Sequence, residues 1–155
     1  MSQGGSSPVS LGGAGWEDDE MSDRQRVSSD SPFEATIGFS RAVRVGDRVV
    51  VSGTGPVVPV GRCPDDAAGQ ARRCFEIIET ALGEVGASLR DVVRTRMYIT
   101  ATEYADAVGK VHGELLGSVR PAATMVVVAA LLDPAWKVEI EAEAVVPDGA
   151  GSDAR

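Results

Sequence analysis

Between residues 41 and 52 polar and apolar side chains alternate, in two short runs separated by Gly46-Asp47. A period of two around a Gly-Asp turn predicts a β-hairpin, because successive strand side chains point to opposite faces. Gly53-Thr54-Gly55-Pro56 ends the second run, and residues 57–61 read as a loop. At Pro64 the period changes. Pro64-Asp65-Asp66 suits a first helical turn, where proline forfeits no hydrogen bond and acids meet the positive end of the helix dipole. Ala67, Ala71, Cys74, Ile78, Ala81 and Val85 then recur every three or four residues, as one buried stripe, until Gly86. A strand is predicted at 93–99, with Val93, Thr95, Met97 and Ile99 on one side and Arg94, Arg96 and Tyr98 on the other. Thr102 or Glu103 opens a second helix, striped by Tyr104, Val108, Val111 and Leu115 and ended by Gly117. Residues 124–129 are almost wholly apolar and predict a strand covered on both faces. Residues 137–145 alternate strictly.

The resulting order is β-β-α-β-α-β-β. Right-handed crossovers place both helices on one face of a single mixed sheet, an α+β arrangement. The last strand then turns Val138, Ile140, Ala142 and Ala144 toward the helices and Glu139, Glu141 and Glu143 toward the bare face. Arg94, Arg96 and Tyr98 offer a complementary row, which predicts cross-strand ion pairs. The bare face and the apolar 124–129 strand both want cover, and a second copy of the chain is the simplest cover.

Charge and composition narrow the function. Lys plus Arg is 15, Asp plus Glu is 23, and the net charge is −8. Such a surface disfavours nucleic acid and anionic membranes. No apolar run is long enough to span a bilayer, and no secretory leader pattern opens the chain, so a cytoplasmic location is expected. With 2 Cys and 1 His, neither a disulfide framework nor a metal site is expected. Cys74 falls on the buried stripe, Cys63 in a loop, and His112 reads as a helix residue rather than a catalyst. Residues 1–31 are rich in Gly and Ser without period, and read as a disordered tail or vector leader, with MSDRQRV from Met21 resembling a second start. The folded domain is expected over 32–147, and 148–155 should fray. Aromatics are only 5% of the chain, which makes for a thin monomer core and suggests burial between subunits.

Four segments then combine: Ile37-Gly-Phe-Ser-Arg-Ala, Val-Val-Val-Ser52-Gly53, Arg120-Pro-Ala-Ala-Thr124 and Lys137-Val-Glu-Ile-Glu-Ala142. In this order and spacing they resemble the Rid (YjgF-type) family across residues 32–147. The resemblance implies a chorismate-mutase-like fold and a homotrimer whose sheets form a central barrel. It implies small-molecule ligands in clefts between subunits. It also implies hydrolysis of reactive imines and enamines to keto acids and ammonia, with no cofactor. Glu139 matches the glutamate that positions the hydrolytic water. Ser52, Gly53 and Thr124 match pocket residues. Two positions depart from the pattern: Ala123 stands where active members carry the carboxylate-binding arginine, and Ser40 where they carry tyrosine. Arg96, on the same predicted face as Glu139, is the first candidate for the missing cation, and Arg41 the second. The changed site leaves open a non-catalytic trimer that binds a metabolite or partner, or another reaction in the same cleft.

Overall fold

A computed structural model describes residues 23–147. The strands are β1 (Arg24–Val27), β2 (Ala42–Val45), β3 (Arg48–Thr54), β4 (Val92–Ile99), β5 (Ala122–Val127) and β6 (Val138–Val145). The helices are α1 (Ala67–Glu84) and α2 (Ala105–Leu116). One six-stranded sheet runs in the order β1-β2-β3-β6-β4-β5. Every neighbouring pair is antiparallel except β4–β5, which is parallel. α1 and α2 pack together over one face, as the alternation in β4 and β6 predicts.

Local chemistry explains the elements. The β2–β3 register closes at Val45 opposite Arg48, with Gly46 supplying the turn at φ +60. Asp66 caps α1, its side chain accepting from the Gly69 amide at 2.9 Å. The far end of α1 is tied down by Arg44, whose Nη1 donates to the Val85 carbonyl at 2.6 Å. The core forms where Val49, Val51, Met97, Ile99, Ile140 and Ala142 meet Cys74, Phe75, Ile78 and Leu82 of α1 and Val108 and Val111 of α2. Gln70 is buried in it. Its Nε2 donates to the carbonyls of Pro64 (2.8 Å) and Ala135 (3.0 Å), and its Oε1 accepts from the Lys137 amide at 2.7 Å. One side chain thus fastens the start of α1 to the chain entering β6.

Several expectations change. β1 lies inside the stretch read as a tail: Val27 pairs opposite Ala42 and is 6% exposed. Its neighbours Arg24, Gln25 and Arg26 are exposed, so the sequence carries no alternation to reveal it. The supposed leader up to residue 22 and the fraying segment 148–155 lie outside the described residues. In β4 a register shift between Val92 and Arg94 turns Val92 inward and leaves Val93 45% exposed. A short 3₁₀ turn, Thr102–Tyr104, precedes α2, and Leu116 rather than Leu115 is buried. β5 runs over Ala122–Val127 and is the sheet's outer strand. It is open rather than covered, with Val126 43% and Val127 53% exposed. Its apolarity has no counterpart within the chain. No helix among the described residues is long and apolar enough to cross a membrane.

Candidate functional site

On the helix-free face β4 and β6 stand in the register Arg94–Glu143, Arg96–Glu141 and Tyr98–Glu139. Arg96 Nη1 lies 3.1 Å from Glu141 and 3.6 Å from Glu143. The Tyr98 hydroxyl donates to Glu141 at 2.9 Å, and Arg48 Nη2 meets Glu143 at 2.9 Å. Both outer carboxylates are therefore neutralised. Glu139 is not. Among the described residues it forms no hydrogen bond or ion pair. Burial pushes its carboxyl above the ordinary range, the Arg41 charge pulls it part of the way back, and Glu141 adds to the rise.

The surroundings of Glu139 come from the end of β3. The β3–β6 pairing shifts between Val51 and Thr54, which frees Ser52 and Gly53 from the regular ladder. Ser52 Oγ donates to the Ser40 carbonyl at 2.7 Å, and the Ser52 amide to the Arg41 carbonyl at 3.0 Å. The Glu139 carboxylate rests on Gly53, where any Cβ would collide with Oε1. Arg41 approaches the same glycine from its other side, Nη2 donating to the Gly53 carbonyl at 2.6 Å. Its guanidinium is half-buried, and Nε is enclosed with no hydrogen-bond partner among the described residues. Burial draws the Arg41 pKa down, and the charges of Glu34 and then Glu139 push it back up. Glu34 is fixed by Ser28 and Ser29, whose donations to its carboxylate at 2.5 to 2.8 Å hold it below the usual carboxylate range.

The chain thus brings Ser40, Ser52, Gly53 and Glu139 together, with Arg41 among them. Arg96 shares the face but is engaged by Glu141 and Glu143 and makes no ion pair with Glu139 among the described residues. The order of the two candidate cations is reversed. A signal for this exists in the sequence: counting outward from the Gly46-Asp47 turn, through Ala42 opposite Val51, sets Arg41 beside Ser52. Ala123 and Thr124 lie elsewhere. They are exposed on β5, opposite Thr95 and Arg96. β5 is three strand positions from β3, which at about 4.8 Å per strand is roughly 14 Å. One chain alone does not close the predicted site.

Other candidate chemistry lies away from this face. His112 Nε2 is 2.8 Å from Thr95 Oγ1, its ring set edge-on to Phe75 at 6.0 Å, and burial lowers its pKa. Cys74 is in the core, its thiol pushed up to about 12, chiefly by burial. Among the described residues no group of His, Cys, Asp or Glu is arranged to hold a metal ion. Sequence reading missed Trp136, which packs on Gly55 and borders an open cleft of about 510 Å³ with Arg62, Cys63 and Lys137.

Residues 29–146 match the family model described as endoribonuclease L-PSP. A crystal structure from Mycobacterium tuberculosis, described as a member of the YjgF family, is 50% identical over 79% of this chain and 99% of that one, with a TM-score of 0.73. The chain belongs to the YjgF/Rid family. Its relatives include an uncharacterized protein of Streptomyces coelicolor, 40% identical over 124 residues, 77% of this chain and 90% of that protein. A RutC family protein of Pyrococcus abyssi is 34% identical over 95 residues, 60% of this chain and 75% of that protein. As a YjgF/Rid chain this one is set apart by its cation: Ala123 offers no charge on β5, and Arg41 brings one to Gly53.

Proposed function

We propose that this protein hydrolyses a small imine or enamine to a carbonyl compound and ammonia, in clefts between the subunits of a cytoplasmic homotrimer. The observation that carries the reading is Glu139, a half-buried carboxylate left unpaired over Gly53 while Glu141 and Glu143 beside it are neutralised. A carboxyl raised by burial is suited to accept and return a proton near neutral pH. In the reaction water oxygen bonds to the C=N carbon, the π electrons move to nitrogen, and Glu139 takes the water's proton. The proton then passes to nitrogen, the C–N bond breaks as C=O forms, and ammonia leaves. The open apolar β5 and the distance of Ala123 and Thr124 from Glu139 support assembly, since a neighbouring copy can bring its own β5 to the cleft.

RNA cleavage fits less well. A face of three carboxylates on a chain of net charge −8 repels a polyanion, and His112 is occupied by Thr95. Ala123 favours a second reading, a trimer that binds a metabolite without turning it over. The test is release of ammonia and pyruvate from freshly generated 2-iminopropionate. The wild-type protein should turn it over, and Glu139→Gln should lose about a hundredfold or more in rate. Binding of keto acids with no turnover of any imine would establish the second reading instead.

A further inference from the structure

Resting on that reading, we infer that Arg41 is the anion-binding group of the cleft, and that the substrates are 2-imino acids whose carboxylate is held from the Gly53 side. Two opposite charges converge on one residue, Glu139 against the Gly53 Cα and Arg41 on the Gly53 carbonyl. They do not neutralise each other, since no ion pair joins them among the described residues. Arg41 is also held ready at both ends. Its amide donates to the Val27 carbonyl at 2.7 Å, its carbonyl accepts from Ser52 at 3.0 Å, and Nη2 is fixed on Gly53 at 2.6 Å. The remaining terminal nitrogen, Nη1, has no hydrogen-bond partner among the described residues and is not enclosed as Nε is. Leaving Nε without a partner costs stability, and a buried donor left so is commonly found where a side chain is placed for function.

The other cations of the face are not available to a ligand near Glu139. Arg96 and Arg48 are held by Glu141 and Glu143. Arg94 lies four residues along β4 from Tyr98, the residue opposite Glu139. An anion entering beside Glu139 is repelled unless a cation shares the space, and a guanidinium there meets a carboxylate with directed hydrogen bonds. Geometry also narrows the class. Because the cation and the proton-accepting carboxylate meet at the same glycine, the substrate's carboxylate must adjoin the carbon that water attacks. That describes R–C(=NH2⁺)–COO⁻, which with water gives R–CO–COO⁻ and NH4⁺.

The experiment compares Arg41→Gln, Arg41→Lys and Arg96→Gln with the wild-type full chain. Two measurements are made: steady-state kinetics on 2-iminopropionate and on a neutral imine of similar size, and pyruvate binding by titration calorimetry. Arg41→Gln should raise KM for 2-iminopropionate about tenfold or more and weaken pyruvate binding in parallel. Its kcat/KM on the neutral imine should stay within about twofold, Arg41→Lys should recover part of the loss, and Arg96→Gln should match wild type. Equal losses on both substrates, or none on either, would overturn the inference. If the wild type binds pyruvate through Arg41 but turns over no imine, the hydrolase reading fails and the anion site stands. If the wild type hydrolyses imines and the Arg41 variants match it, the anion site fails and the hydrolase reading stands. Should Arg41→Gln not fold, Arg41→Lys and pyruvate titration decide.

Discussion

Glu139 sits so close over Gly53 that nothing larger than hydrogen fits between them. The colliding atom is Oε1, the far end of a flexible side chain, and the Gly53 backbone lies outside the left-handed region. Gly53→Ala should therefore fold, with a stability loss of no more than about 1 kcal/mol. The added methyl displaces the carboxylate, and a misplacement of about 1 Å is worth roughly a hundredfold in rate. Thermal unfolding together with imine hydrolysis checks both halves. A variant as active as wild type would remove Glu139 from the chemistry.

Glu139 should also show itself in stability. Burial raises its folded-state pKa above the ordinary 4.5. The folded chain therefore holds this proton more tightly than the unfolded chain. Stability from the protonated group is fully present below 4.5 and is lost as pH rises through the higher folded value. Glu139→Gln removes that loss. Its Tm should exceed that of wild type at pH 7, and the two should converge in acid. Melting curves across pH check the crossover.

Gln70 is a structural test. Gln70→Leu keeps the volume but leaves the carbonyls of Pro64 and Ala135 and the amide of Lys137 without their partner. At about 1 kcal/mol for each buried group left unpaired, the loss is about 3 kcal/mol, or roughly 10 °C in Tm. Calorimetric unfolding measures it. The effect should reach the Trp136–Lys137 segment first, visible as faster amide exchange there.

Where burial alternates, the fold was legible. The two rows on β4 and β6 were readable to the pair, because a period of two leaves one choice of face, and Arg96 duly faces Glu141. Alternation failed at the sheet's margins. β1 buries a single side chain, and β5 is apolar without being covered in one chain. The Val92–Arg94 shift was hidden because Val92 and Val93 are the same residue type, so either can face inward. The site was half legible. Glu139, Ser52 and Gly53 follow from the motif and the strand pattern. The preference for Arg96 over Arg41 came from judging faces alone, which does not show which carboxylates each arginine will meet. Thr124 and Ala123 could not be joined to the rest, because no property of a single chain spans the sheet.

The bond from the Arg41 amide to the Val27 carbonyl reaches beyond packing. It makes the amino-terminal strand a buttress for the guanidinium, although no residue of that strand faces the ligand. An affinity tag or a trimmed expression boundary falling within Arg24–Val27 would then alter substrate affinity while sparing every cleft residue, and two preparations of the same protein could differ in KM for that reason alone.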